Sequence, residues 1–139
     1  MVRYVLDTNV VSELLRAAPD TAVLDFVRSH DAEIGLTAMS RAELGYGVER
    51  LPSGARQRSL RRAVDEFLAQ YESDTVSFDA EAARHYGRIA ARLEWAGAPR
   101  PLADLVIAAS CAAIGATLVT RNVKDFAGTG IEVLDPWVA

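Results

Sequence analysis

Asp7, Glu43, Asp104 and the Asn122/Asp125 pair stand out by position as well as by type. Each falls at, or about one turn beyond, the carboxyl end of a predicted strand, or at a helix start. In a parallel α/β sheet those ends open on one edge, the edge where ligands bind. Carboxylates gathered there without counter-charges repel and raise one another's pKa values. A hard divalent cation relieves that repulsion. An oxygen-only ligand set with no cysteine or histidine selects Mg²⁺, with Mn²⁺ as a plausible substitute. Such a cation keeps several waters and completes its shell with substrate phosphate, which points to phosphodiester hydrolysis.

Taken singly, each acid also has a structural explanation. Thr8 or Asn9 could cap the helix that follows the first strand, and Asp7 could itself be a cap. Ser40 and Glu43 have the Ser-x-x-Glu spacing of a capping box. Asp104 lies in a first helical turn, where the dipole favours an acid by about 0.3–1 kcal/mol. Several separate explanations coinciding on one edge are less economical than one shared ligand.

The elements that must carry these residues alternate along the chain. Val2 to Leu6 is a short apolar strand, and Val10, Val11, Leu14 and Leu15 then recur at helical spacing. A second helix starts at Asp20 or Thr21. A second strand over Asp31–Leu36 runs into the helix bearing Glu43. Gly45 and Gly47 weaken that helix by about 1 kcal/mol each and suggest close approach of another element. A long helix spans Ala55–Tyr71, and its Arg56, Arg58, Arg61 and Arg62 form a basic cluster. The spacings Arg61–Asp65 and Arg62–Glu66 suit ion pairs within the helix. Asp74–Phe78 reads as a third strand, followed by a helix capped by Asp79 and carrying a solvated row of Arg84, Arg88 and Arg92. Pro101 fits the first position of an alanine-rich buried helix over Leu102–Ile114, ended by Gly115. Ala116–Thr120 and Ile131–Leu134 are the last strands. The result is one α/β domain over 1–139, with a mainly parallel central sheet of four to five strands and helices on both faces.

Composition narrows the function further. Half of the 139 residues are hydrophobic and the net charge is −4, with Lys124 the only lysine. An acidic protein is a poor non-specific binder of nucleic acid unless a cation inverts the field at its acidic site. Cys111 is the only cysteine, which excludes an internal disulfide and a cysteine zinc site. His30 and His85 have no ligand partner nearby in sequence and read as structural. No leader sequence is visible, since Arg3 and Asp7 interrupt any N-terminal apolar run. No apolar run reaches the ~20 residues a membrane span needs, so a cytoplasmic protein without a membrane partner is expected.

Leu-Asp-Thr-Asn-Val-Val-Ser-Glu-Leu, Ala42-Glu43-Leu44, Ala-Asp-Leu-Val-Ile-Ala-Ala and Thr-Arg-Asn-Val-Lys-Asp-Phe, taken in order, resemble the PIN-domain family. Within it the chain looks like the VapC and FitB-like toxins of bacterial toxin–antitoxin pairs. Its final Asp135-Pro136-Trp137 is similar to the way such chains end. The resemblance runs nearly end to end. It implies a PIN fold, Mg²⁺-dependent ribonuclease activity and a homodimer. It also implies inhibition by a cognate VapB/FitA-like antitoxin, through which alone DNA would be bound. By the same resemblance Asp7 and Asp104 are direct metal ligands. Glu43 supports the metal or orients its water, and Thr8 and Thr120 are hydroxyl positions nearby. The family often has an aspartate where this chain has Asn122, which offers a carbonyl oxygen without charge. Asp125 is the candidate substitute, and one well-held Mg²⁺ is expected. Arg56, Arg58, Arg61, Arg62 and Arg121 are candidate RNA contacts. The rival reading is a catalytically weak module that chiefly holds an antitoxin as co-regulator of its operon.

Overall fold

A computed structural model describes all 139 residues. Its centre is a five-stranded sheet of order β3-β2-β1-β4-β5, with every neighbouring pair parallel. The strands are β1 (Tyr4–Leu6), β2 (Ile34–Thr37), β3 (Thr75–Val76), β4 (Thr117–Val119) and β5 (Val133–Leu134). The helices are α1 (Thr8–Leu14), α2 (Thr21–Ser29), α3 (Ala38–Glu49), α4 (Ala55–Gln70), α5 (Ala80–Trp95) and α6 (Leu102–Ile114). β1 is the middle strand, with Tyr4 opposite Ile34 on one side and Thr117 on the other. Because side chains alternate along a strand, the sheet buries two separate layers. Leu6, Ile34, Leu36 and Val119 pack with residues of α1 to α4. Val5, Val76 and Leu118 pack on the other face with α5 and α6. Residues Leu105 to Cys111 of α6 are buried throughout, as expected of a helix pressed between the sheet and α5.

Several elements differ from the sequence reading, each for a local reason. Asp31–Glu33 is a 3-10 turn, so β2 begins only at Ile34. Glu72–Asp74 is another such turn, and β3 shrinks to two residues before Asp79 caps α5. Gly35 is required at β2 because a Cβ there would lie 2.6 Å from the Asp74 carbonyl oxygen. Gly45 and Gly47 face open space instead of a neighbouring element. Pro101 is the N-cap of α6 and Leu102 its first residue, while Gly115 ends the helix at φ 67°. The ion pairs expected within α4 do not form. Arg61 bonds Glu49 of α3, tying the two helices together. In the α5 row, Arg92 is not simply solvated, since its Nη2 donates to the Thr129 carbonyl at 2.7 Å. His30 lies against Phe26 and Tyr4, with ring centroids 4.4 and 4.8 Å away, a packing role.

Candidate active site

Asp7 directly follows β1 and is itself the N-cap of α1, so neither Thr8 nor Asn9 serves as the cap. Its Oδ1 accepts from the Thr8 amide at 2.9 Å. Its Oδ2 accepts from the Thr120 hydroxyl at 2.9 Å and from Asn9 Nδ2 at 3.3 Å. Thr120, just past β4, is fully buried, and its Oγ1 also accepts from Asn9 Nδ2 and from the Asn122 amide. Asn9 Oδ1 in turn accepts from the Arg121 amide at 3.1 Å. The network locks the ends of β1 and β4 together and fixes both oxygens of Asp7. Burial still raises the pKa of Asp7, as does the nearby Asp125, against the lowering by its hydrogen-bond donors.

Glu43 lies in the interior of α3, and the capping box does not form. Thr37 is the N-cap, its Oγ1 accepting from the Ser40 amide at 3.0 Å, and Ser40 is buried. Glu43 is therefore left free. Its Oε1 is buried and has no hydrogen-bond partner. Burial raises its pKa first, and repulsion from Asp7 and Asp104 raises it further. Asp104, in the first turn of α6, is raised by burial, then by Asp125 and Asp7, with Arg100 opposing. Asp7 and Asp104 thus both act electrostatically on Glu43, and Asp7 acts on Asp104, although the three come from separate elements. Asp125 adds charge to both Asp7 and Asp104, whereas Asn122 is exposed and joins the network through its amide.

Thr8 and Glu43 line a cleft of about 350 Å³ with Ser12, Arg16 and Gly47. A separate recess of about 440 Å³, lined by His85, Arg88 and Cys111 among others, contains none of these acids. Cys111 is buried, its thiol pushed up to about 12 by burial, and is unreactive. Arg56, Arg58 and Arg62 are exposed on α4 without carboxylate partners, unlike Arg61. Sequence reasoning overlooked Asn9, treating it only as a cap. Its signal was an amide two residues after a strand-end aspartate, able to bridge to the next strand.

The acid set suits a hard cation. Raised carboxylates and an orphaned buried oxygen gain from a positive charge and lose without one. No three Asp, Glu, His or Cys side chains are arranged as a ready-made metal site, so these acids alone do not form a closed coordination shell.

Fold and site define a class: a parallel-sheet protein whose carboxyl edge gathers under-compensated acids from a strand end and two helices. The family model described as "PIN domain" matches residues 4–131, and the chain belongs to that family. It is 35% identical to "VapC ribonuclease Y4jK" of Sinorhizobium fredii over 96% of both chains. It is 28% identical to "tRNA(fMet)-specific endonuclease VapC" of Shigella flexneri over 99% of both. Among solved structures, FitAcB from Neisseria gonorrhoeae superposes with TM-score 0.89 at 30% identity, covering 98% of this chain and 99% of that one. DNA-bound VapBC from Salmonella typhimurium superposes with TM-score 0.86 at 26% identity, over 98% and 99% of the two chains.

Proposed function

We propose that the protein is an Mg²⁺-dependent endoribonuclease, the toxin of a toxin–antitoxin pair, which hydrolyses RNA phosphodiester bonds. The observation that carries the metal site is Glu43: a half-buried carboxylate inside α3, one buried oxygen without a donor, repelled by Asp7 and Asp104. The names of the relatives, ribonuclease and tRNA endonuclease, support RNA as the substrate, with tRNA the first class to test. Asp7 and Asp104 would hold the cation, with Mn²⁺ a substitute, and Glu43 would accept a hydrogen bond from one of its waters. When bound, Mg²⁺ supplies a more acidic water and positive charge beside the phosphate oxygens. The chain's own contribution is orientation. Thr120, Asn9 and the Thr8 amide keep Asp7 in one rotamer, and Asp125 strengthens the negative potential that attracts a cation. Asn122 can offer only a neutral oxygen, which supports one well-held metal over two. Arg56, Arg58 and Arg62 supply phosphate contacts along α4.

The solved complexes of similar chains support a cognate VapB/FitA-like antitoxin as partner, DNA being reached through it; the homodimer rests on the family resemblance alone. No helix is long and apolar enough to cross a membrane. A second reading, a weak nuclease serving mainly as an antitoxin-binding co-regulator, draws its support from the neutral Asn122.

Calorimetric titration of Mg²⁺ into antitoxin-free protein, with RNA cleavage assayed on the same samples, tests the proposal. Binding that disappears in Asp7→Asn, together with cleavage that follows metal occupancy, is the expected result. Equal cleavage by parent and Asp7→Asn would overturn it. Metal binding without cleavage of any RNA would favour the second reading.

A further inference from the structure

The closing Asp135-Pro136-Trp137 has no part in the acid site, yet it is tied to the rest of the chain by specific contacts. Asp135 Oδ1 accepts from the Trp137 amide at 2.9 Å, an Asx turn that fixes the direction of the tail, and Pro136 is buried. Trp137 is half-buried and packs against the core layer beneath α1 to α4. The Thr120 amide donates to the Leu134 carbonyl at 2.9 Å, which places the start of this tail beside the end of β4. Arg121 lies over the Trp137 ring, its guanidinium carbon 4.7 Å from the ring centroid.

Arg121 is thereby held at both ends. Its amide donates to Asn9 Oδ1, one bond removed from Asp7 Oδ2, and its side chain lies on the indole. It is exposed and is not in any of the four ion pairs, whereas Arg16, Arg41 and Arg61 are neutralised by glutamates. This cation–π contact uses none of the guanidinium's hydrogen-bond donors, and the Arg121 side chain makes no hydrogen bond within the chain, so its donors remain free for a bidentate oxyanion. Ordering the side chain beforehand removes part of the entropy lost on binding. We propose that Trp137 is a positioning residue that presents Arg121 to an RNA phosphate at the rim of the acid site. This rests on the ribonuclease reading above.

The test uses the full chain, cleavage of unfractionated tRNA, and binding of fluorescein-labelled tRNA followed by anisotropy across a salt series. Arg121→Ala is expected to raise KM about tenfold with kcat nearly unchanged, and to reduce the salt slope by about one. Trp137→Leu is expected to reproduce most of that loss, and Trp137→Phe, which keeps a ring face, to restore it. In an Arg121→Ala background Trp137→Leu should add nothing. In a Trp95→Phe protein, where Trp137 is the only tryptophan, its emission should shift on tRNA binding, and the shift should vanish with Arg121→Ala. Unchanged KM and salt slope in Arg121→Ala overturn the inference. So does a Trp137→Leu effect that persists in full without Arg121, which would make the ring a packing residue only. A parent that cuts tRNA and an Asp7→Asn that does not, beside a silent Arg121→Ala, would sink this inference alone. A parent that neither binds nor cuts tRNA or any other cellular RNA would sink the ribonuclease reading with it.

Discussion

Glu13 and Glu43 are both glutamates on short-range helical positions near the same sheet, and their surroundings could hardly differ more. Glu13 is buried at the corner between α1 and α2, where Oε2 accepts from the Asp20 amide at 2.8 Å and both oxygens accept from Arg16. The Asp20 bond, then Arg16, hold its pKa below the usual carboxylate range despite burial. Glu43 has no donor at Oε1 and two acids as electrostatic neighbours, and its pKa is raised. Burial alone therefore does not mark a functional acid. What separates the two regions is whether the fold itself supplies the compensating donors. At the corner it does; at the carboxyl edge it leaves them to a ligand.

The largest effect that would sharpen this contrast is in catalysis. Asp7→Asn is expected to lower RNA cleavage by roughly 100-fold or more, since even outer partners of metal ligands are worth about 10–100-fold. The melting temperature in chelator should hold or rise, because a repelled carboxylate has been removed. A collapse of the fold instead would place Asp7 in the same structural class as Glu13. Thr120→Val removes the donor to Asp7 Oδ2 and should cost about tenfold in cleavage and in Mg²⁺ affinity, measured together. Glu13→Gln should do the reverse of Asp7→Asn, lowering the melting temperature by about 5 °C while leaving kcat unchanged for the folded fraction.

The smallest effect is the most diagnostic, because the two regions should respond to pH with opposite signs. Asp7, Glu43 and Asp104 have folded pKa values above their ordinary 3.8, 4.5 and 3.8. The folded state binds their protons more tightly, so in chelator their contribution falls as pH rises from those ordinary values through the raised ones. Glu13 is lowered from 4.5, so its contribution is full above that value and is lost as pH falls through its folded pKa. Mg²⁺ should remove the first dependence and leave the second. Melting curves over pH for parent, Glu43→Gln and Glu13→Gln, with chelator and with Mg²⁺, would separate them. Loss of both dependences in one variant would break the comparison.

The sheet and the set of acids could be read from the sequence because both depend on period and position. Strand–helix alternation dictates a parallel sheet, and a parallel sheet brings strand ends together wherever they lie in the chain. Local motifs were a poorer guide. Ser40 and Glu43 have the spacing of a capping box, but Thr37, at the end of β2, reaches the Ser40 amide first. Arg61 has Asp65 one turn away in its own helix and pairs with Glu49 across the helix interface instead. The role of Asn9 was out of reach for the same reason, since its partners Thr120 and Arg121 lie 111 and 112 residues away. Spacing reports what a residue can do within its own helix. It is silent on a partner delivered by another strand.

The central place of β1 has a consequence for how the molecule is made. β1 leaves the ribosome first, but its pairing with β4 waits for residues 117–119, and the Thr120 hydroxyl that orients Asp7 is 113 residues downstream. Contacts so distant in sequence form late, after most of the loop-closure entropy has been overcome. A chain still being translated has its strand-end aspartate but not the bonds that aim it. On the ribonuclease reading, the acid site of a nascent chain stays unassembled until the last strands are in place.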